Sequence, residues 1–196
     1  MKTFVQFAAF TLAIAALGGC ATQDAAVPAK AMPAAAAPAT PAAATAPVMF
    51  AVLPDSGRIH AFGDTKNYFD FLAHGEVVLT RTQIGAGPGG KTLVYGITSA
   101  DVKANTPSPA EQLMAASASP EGFYGEVLKN GRFYLFGDLK EMKDFISFGE
   151  VAYGYTDIGV GPKGESLVYV MNKDSYKKGK PADRGERFKS LRMAAR

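Results

Sequence analysis

Hydrophobic positions along this chain change their period in the same order twice. Apolar-rich runs Phe50–Leu53 and Arg58–Phe62 flank Pro54-Asp55-Ser56-Gly57, and Tyr124–Leu128 and Arg132–Phe136 flank Lys129-Asn130-Gly131. Short runs joined by a turn ending in glycine predict β-hairpins. The period then becomes helical: Tyr68, Phe71 and Leu72 share one face, as do Leu139, Met142, Phe145 and Ile146. Asp64 and Asp138 stand where an N-cap carboxylate accepts the free N–H groups of a first turn, and Asp138 with Glu141 has capping-box spacing. Gly75 and Gly149 stand where a left-handed C-terminal cap belongs. Glu76–Ile84 with Thr92–Tyr95, and Glu150–Ile158 with Ser166–Tyr169, read as second hairpins. A short helix follows the first set, capped by Ser108-Pro109-Ala110-Glu111 and running through Leu113, Met114 and Ala116. The second set is followed by the helix-compatible run Glu186–Arg196, with Phe188 and Leu191 on one side.

The two sets are nearly one text. Set against each other at an offset of 74 residues, positions 57–96 and 131–170 match at 20 of 40 places without a gap. This is an internal duplication. Each copy reads ββαββ plus a short C-terminal helix, too small to bury a comfortable core alone. The expected fold is α+β: a tandem duplication of a ββαββ(α) unit with antiparallel sheets, packed as one pseudo-twofold body.

Most of the repeated text has a structural role. The aspartates start helices, the glycines end them, and the aromatics fill a core. Lys66 with Asp70, and Lys140 with Asp144, are helical i, i+4 pairs contributing a few tenths of a kcal/mol. Glycine-rich loops cradle phosphate when they follow a strand and open a helix. Here Ile84-Gly85-Ala86-Gly87-Pro88-Gly89-Gly90 and its copy from Ile158 lead into strands, so they read as turns. Proline followed by a variable residue and glycine suits a type I turn closed by a left-handed glycine, and Lys163 argues against positive φ at the middle position.

The N-terminus changes the picture. Lys2, an apolar run Phe4–Leu17 and small residues before Cys20 form a secretory signal, too short to span a bilayer comfortably. Leu17-Gly18-Gly19-Cys20 resembles the lipobox of bacterial lipoproteins. The resemblance implies that signal peptidase II cuts before Cys20 and that its thiol carries a diacylglycerol. Ala21, rather than aspartate, after the cysteine implies sorting to the outer membrane. Cys20 is the single cysteine, so no intrachain disulfide forms. From Ala21 to Pro47, 14 of 27 residues are alanine and 5 are proline, which breaks any alanine helix. Such a segment is an extended tether, reaching at most roughly 80 Å at about 3.1 Å per residue. The organisation expected is signal peptide 1–19, lipidated cysteine and tether 20–47, first copy 48–120, and second copy with a basic C-terminal helix 121–196.

Charge is uneven. Lys177–Arg196 carries eight basic residues against two acidic, a net of +6, while Val48–Tyr176 carries eleven basic against fifteen acidic, a net of −4. Arg187, Lys189 and Arg192 on the terminal helix are therefore candidates for meeting an anionic envelope polymer or another envelope protein, or for docking on the acidic body. Nucleic acid is not an expected partner of an exported, lipidated chain. Val151, Tyr153 and Tyr155 alternate along an expected strand, and the tyrosines form either a stacking platform for carbohydrate or peptide or part of the packing.

Catalytic patterns are weak. His60 and His74 occur in the first copy alone, replaced by Tyr134 and Phe148, and no metal-ligand spacing accompanies them. No serine sits in a nucleophile elbow, thiol chemistry has no residue beyond the lipid anchor, and the carboxylates read as caps or surface groups. No catalytic residue, metal or cofactor is expected. The expectation is a non-catalytic, outer-membrane-anchored lipoprotein facing the periplasm, whose duplicated module binds another envelope component. The alternatives are an accessory structural subunit of an outer-membrane complex, or a hydrolase using carboxylates where the copies meet.

Overall fold

Alternating hydrophobicity builds eight strands, and helical spacing builds the segments between them. A computed structural model describes residues 46–195. The signal peptide, Cys20 and all but the last two residues of the tether lie outside the described residues. The strands are β1 (Val48–Leu53), β2 (Arg58–Phe62), β3 (Thr80–Gln83), β4 (Thr92–Gly96), β5 (Tyr124–Lys129), β6 (Arg132–Phe136), β7 (Tyr153–Asp157) and β8 (Ser166–Met171). The helices are α1 (Thr65–His74), α2 (Ser99–Ala104), α3 (Pro109–Ala115), α4 (Leu139–Phe148), α5 (Lys173–Tyr176) and α6 (Ala182–Ala194), with a short 3-10 turn at Pro88–Gly90. Among the described residues no helix is long and apolar enough to cross a membrane.

All eight strands join one mixed sheet in the order β3-β4-β2-β1-β5-β6-β8-β7. This corrects the expectation of antiparallel sheets. The four hairpins β1–β2, β3–β4, β5–β6 and β7–β8 are antiparallel as expected, but they are joined to one another by parallel pairs, β2–β4, β1–β5 and β6–β8. The physical reason is that a tight turn dictates direction only inside its own hairpin. The helices α1 and α4 lift the chain off the sheet between hairpins, and what sits beside β2 or β6 is then decided by packing.

The sheet carries a core on each face. One contains Met49, Ala51, Ile59, Ala61, Leu93, Tyr95, Val127 and Phe136 under α4 and Ala110 of α3. The other contains Phe50, Phe62, Tyr124, Phe133, Leu135, Leu167 and Tyr169 under Tyr68 of α1 and Phe188 of α6. Residues matched in the sequence repeat fall on opposite faces: Ile59 and Phe133, Phe62 and Phe136, Leu93 and Leu167, Tyr95 and Tyr169.

Local chemistry sets the element ends. Asp64 accepts from the Asn67 backbone N–H at 2.8 Å and from its side-chain amide at 2.9 Å, and Asp138 accepts from the Glu141 N–H at 3.0 Å. Gly75 (φ 79°) and Gly149 (φ 76°) close α1 and α4 in the left-handed region. Glu141 does not complete the expected capping box. Its carboxylate accepts instead from the Asn172 amide at 2.8 Å, because Asn172, capping α5, is brought beside it. The Asn130-Gly131 turn takes φ of 50° and 67°, the paired positive values of a two-residue I′ hairpin. Both glycine-rich turns close on the expected left-handed glycine, Gly90 (φ 72°) and Gly164 (φ 83°), and they differ at the middle position, where Gly89 adopts φ 66° and Lys163 has no positive φ. A side chain at the middle position keeps that residue out of the conformation glycine takes freely.

Three expectations shift in length or face. β3 and β7 are shorter than the runs from Glu76 and Glu150, and Val151 precedes β7 rather than belonging to it. Val151 packs against the α4-side core, whereas Tyr155 packs against the α1-side core, so they form no common stripe. The terminal helix begins at Ala182, ahead of the expected Glu186. Helix α2 was not anticipated, although Thr98 and Asp101 make a complete capping box, because six residues are too few to show a period.

Replacing Asp138 by alanine is expected to destabilise the fold by about 1 kcal/mol, the usual effect of losing an N-cap. Urea denaturation checks this, and an unchanged midpoint would show that the cap is not what holds α4.

Candidate functional site

Strand alternation puts Tyr124, Glu126 and Leu128 of β5 on the face covered by α1 and α6. Glu126 is 0% exposed, at the centre of the sheet. A buried carboxylate is tolerated only when its lone pairs are taken, and here four donors take them. Tyr68 of α1 donates its hydroxyl to Glu126 Oε1, and Tyr124 donates to Oε2 at 3.1 Å. Arg192 of α6 closes a two-pronged pair, Nη1 to Oε2 at 3.1 Å and Nη2 to Oε1. The Tyr68 ring stacks on Phe50 at 4.4 Å, which fixes the phenol against the strand. The Arg192 guanidinium lies 3.4 Å from the Phe188 ring centre and 4.8 Å from that of Phe133.

The electrostatics keep every proton in place. Burial, then the Glu126 charge, pushes both phenols well above the ordinary tyrosine value, so both stay donors. Burial works against the charge on Arg192, but its hydrogen bonds and attraction to Glu126 outweigh it and hold the guanidinium above its usual value. The cluster ties β5, α1 and α6 together and leaves no oxygen of Glu126 without a donor. Glu126 was not legible as a special residue, since the carboxylates read as caps or surface groups. The available signal was an acid at an inward position of an apolar strand, between Tyr124 and Leu128.

On the other face, Arg81 Nη1 pairs with Glu111 at 2.7 Å, and Glu111 also accepts from the Ser108 backbone N–H at 2.7 Å. Burial pushes the Glu111 carboxyl upward, but these donors outweigh it and leave it below the usual range.

Beside the Glu126 cluster an open cleft of about 740 Å³ lies between α1, α6 and the β7–β8 connection. Leu128, Phe133 and Phe188 line it together with Phe69, Leu72 and Ala73 of α1, Met193 of α6 and Ala195 just after it. Val160, Pro162, Lys163 and Glu165 form the third wall, with Asp70, Lys189 and Arg192 also at its surface. The matching turn of the first copy, Pro88–Gly90, packs against α4 on the opposite face.

The expected binding residues are not brought into one place. Arg192 and Lys189 reach the cleft. Arg187 does not: it donates to the Gly122 carbonyl at 3.1 Å and the Ala46 carbonyl at 3.1 Å, with its guanidinium over Tyr124. Tyr153 and Tyr155 lie on the edge strand β7, where Tyr176 of α5 packs beside them, its ring centre 5.6 Å and 4.8 Å from theirs, and Tyr153 and Tyr176 remain exposed. Sequence spacing shows that the tyrosines share a face but not that α5 brings Tyr176 beside them. His60 is half-buried, with its ring 4.5 Å from Phe71, and burial, then Arg58, lowers its pKa. His74 ends α1. Among the described residues no group of three or more His, Cys, Asp or Glu side chains is arranged to hold a metal ion.

Compared with protein-family models, with curated proteins and with solved structures, the chain matches none.

Proposed function

We propose that this protein is a non-catalytic lipoprotein of the outer membrane, anchored through Cys20 and facing the periplasm. Its folded module, held off the membrane by the Ala/Pro-rich tether, binds another envelope component in the α1–α6 cleft. The observation that carries this reading is the cleft itself. The described residues leave no buried side-chain polar atom without a partner, yet about 740 Å³ of largely apolar wall stays open. Clefts of about 300–1,000 Å³ with apolar walls and a few polar groups are the usual form of a binding site.

The module is a duplication whose copies pair through β1 and β5 about an axis along the strands. Three features support this: the 20 matches in 40 positions, a strand order that reads the same inward from both edges, and the exchange of matched residues between faces. Rotation about an axis lying in the sheet and along its strands keeps strand direction and swaps the faces. The accessory-subunit alternative has one observation in its favour. Ile84 and Ile158, identical in the repeat, are 87% and 84% exposed. Both precede strands that run in the same direction, so they stand at one end of the sheet.

Two measurements test the proposal. Cys20→Ser is expected to abolish labelling by a clickable fatty acid and to remove the chain from the membrane fraction; labelling equal to wild type would sink the anchor. A photoreactive residue at Met193 is expected to crosslink to an envelope component in intact cells, and Ala73→Trp, which fills the cleft from α1, is expected to remove that product. A Met193 product unchanged in Ala73→Trp would place recognition elsewhere.

A further inference from the structure

The cleft has a chemistry that narrows its ligand. Its apolar lining, which includes Leu128, Phe133 and Met193, offers a ligand no hydrogen-bond partner, and charged groups stand only among the remaining lining residues. A peptide laid on those apolar side chains would bring backbone N–H and C=O groups that give up water there without gaining a partner, at a cost. An alkyl chain brings no such group. The charged residues at the cleft differ in what they already hold. Arg192 is committed to Glu126 and Asp70 to Lys66 at 2.6 Å. Glu165, which accepts the Lys163 backbone N–H at 2.7 Å, keeps its negative charge beside the turn, so that cations outnumber it two to one among the described cleft groups without an ion pair. The ammonium groups of Lys163 and Lys189 make no ion pair among the described residues. They stand on two different walls, Lys163 on the β7–β8 turn and Lys189 on α6. In the first copy the position of Lys163 is Gly89, in the turn that packs against α4.

We infer that the α1–α6 cleft binds a single-chain anionic amphiphile, a long-chain fatty acid whose alkyl chain lies on the apolar walls and whose carboxylate meets Lys163 and Lys189. This deepens the binding-module reading above and rests on it for the site, not for the anchor. Its specificity lies in the head group: a neutral one forfeits the lysines.

The test is site-mapped photolabelling of the full-length chain with palmitate carrying a terminal diazirine, followed by mass spectrometry of the digest. The expected adducts lie on cleft residues, one per chain, and are competed by excess palmitate but at least tenfold less well by 1-hexadecanol. Lys163→Glu combined with Lys189→Glu, and separately Ala73→Trp, are expected to lower cleft labelling at least tenfold while the far-ultraviolet circular dichroism stays unchanged. Adducts spread equally over exposed apolar residues such as Ile84, Phe148 and Ile158 would overturn the inference. So would cleft labelling that both variants leave intact, or equal competition by hexadecanol. Lysophosphatidate competing tenfold better than palmitate would overturn the carboxylate in favour of a phosphate head. If labelling fails while the Met193 crosslink to an envelope component remains, the ligand class falls and the binding-module reading stands; if both fail, both fall.

Discussion

Arg192→Met is expected to destabilise the protein by about 3–5 kcal/mol, the usual effect of stripping one partner from a buried ion pair. Glu126 is 0% exposed, so once the guanidinium is gone its charge has two phenol donors and no counter-ion. The converse removal strands the other charge and leaves both phenols without their acceptor. In Glu126→Leu the stranded charge is on Arg192, whose side chain keeps 13% exposure at the edge of the cleft and has a route to water. The double replacement Glu126→Leu with Arg192→Met removes both charges and is expected to be more stable than Glu126→Leu alone. It stays below wild type because Tyr68 and Tyr124 still lack their acceptor, each at about 1–3 kcal/mol. Adding Tyr68→Phe and Tyr124→Phe removes those hydroxyls as well. Urea denaturation of the series measures these differences. An Arg192→Met protein within 1 kcal/mol of wild type would mean that the pair contributes nothing to holding α6 on the sheet.

The second large effect is expected from cutting the chain between the copies. Residues 48–120 and 121–196, expressed separately, are expected to be poorly folded or to self-associate. Joined, they share the β1–β5 pair, in register from Val48 opposite Tyr124 to Leu53 opposite Lys129. These are the two middle strands of the sheet, with Met49, Phe50, Ala51 and Val127 all 0% exposed. Separation turns both into bare edges that carry core residues, which invites pairing with any other edge. It also removes Tyr68 from Glu126 and α4 from the turn at Pro88–Gly90. NMR dispersion and sedimentation of each fragment test this. Two monomeric fragments with dispersed spectra, each melting near the temperature of the whole, would show independent units. Mixing the fragments is expected to restore one cooperative transition, because the buried charge cluster needs a residue from each.

How much of this was legible in the chain differs from element to element. Caps were the most legible. Asp64, Asp138 and Ser108 lie at the helix starts that their spacing predicted, since a cap is made within four residues and depends on little else. The hairpins were legible for the same reason. The turn at Asn130-Gly131 dictates the antiparallel pairing of β5 with β6 through its own dihedral angles. The anchor at Cys20 and the tether also rest on short-range patterns, and they stay expectations because those residues lie outside the described part of the chain.

Other features needed the tertiary structure. No local signal says that β1 lies parallel to β5, because that pairing is made between residues far apart in sequence and is chosen by how two cores close. For the same reason the expected antiparallel sheets became one mixed sheet, although each hairpin was as expected. Arg192 and Glu126 are 66 positions apart, so their pairing carries no periodicity, and each alone reads as a surface charge. Arg187, Lys189 and Arg192 looked equivalent on one basic helix; packing assigned the first to backbone carbonyls, left the second at the cleft without an ion-pair partner among the described residues, and buried the third against Glu126. Tyr153 and Tyr155 share a face by their spacing alone, but only the fold brings a third ring, Tyr176, beside them. The sequence by itself determined the local elements, their ends and the repeat, because those depend on neighbours within a turn or two. The direction in which hairpins join, the burial of a charge and the cleft beside it were decided only by tertiary structure, because each is an energy shared by residues that the chain keeps far apart.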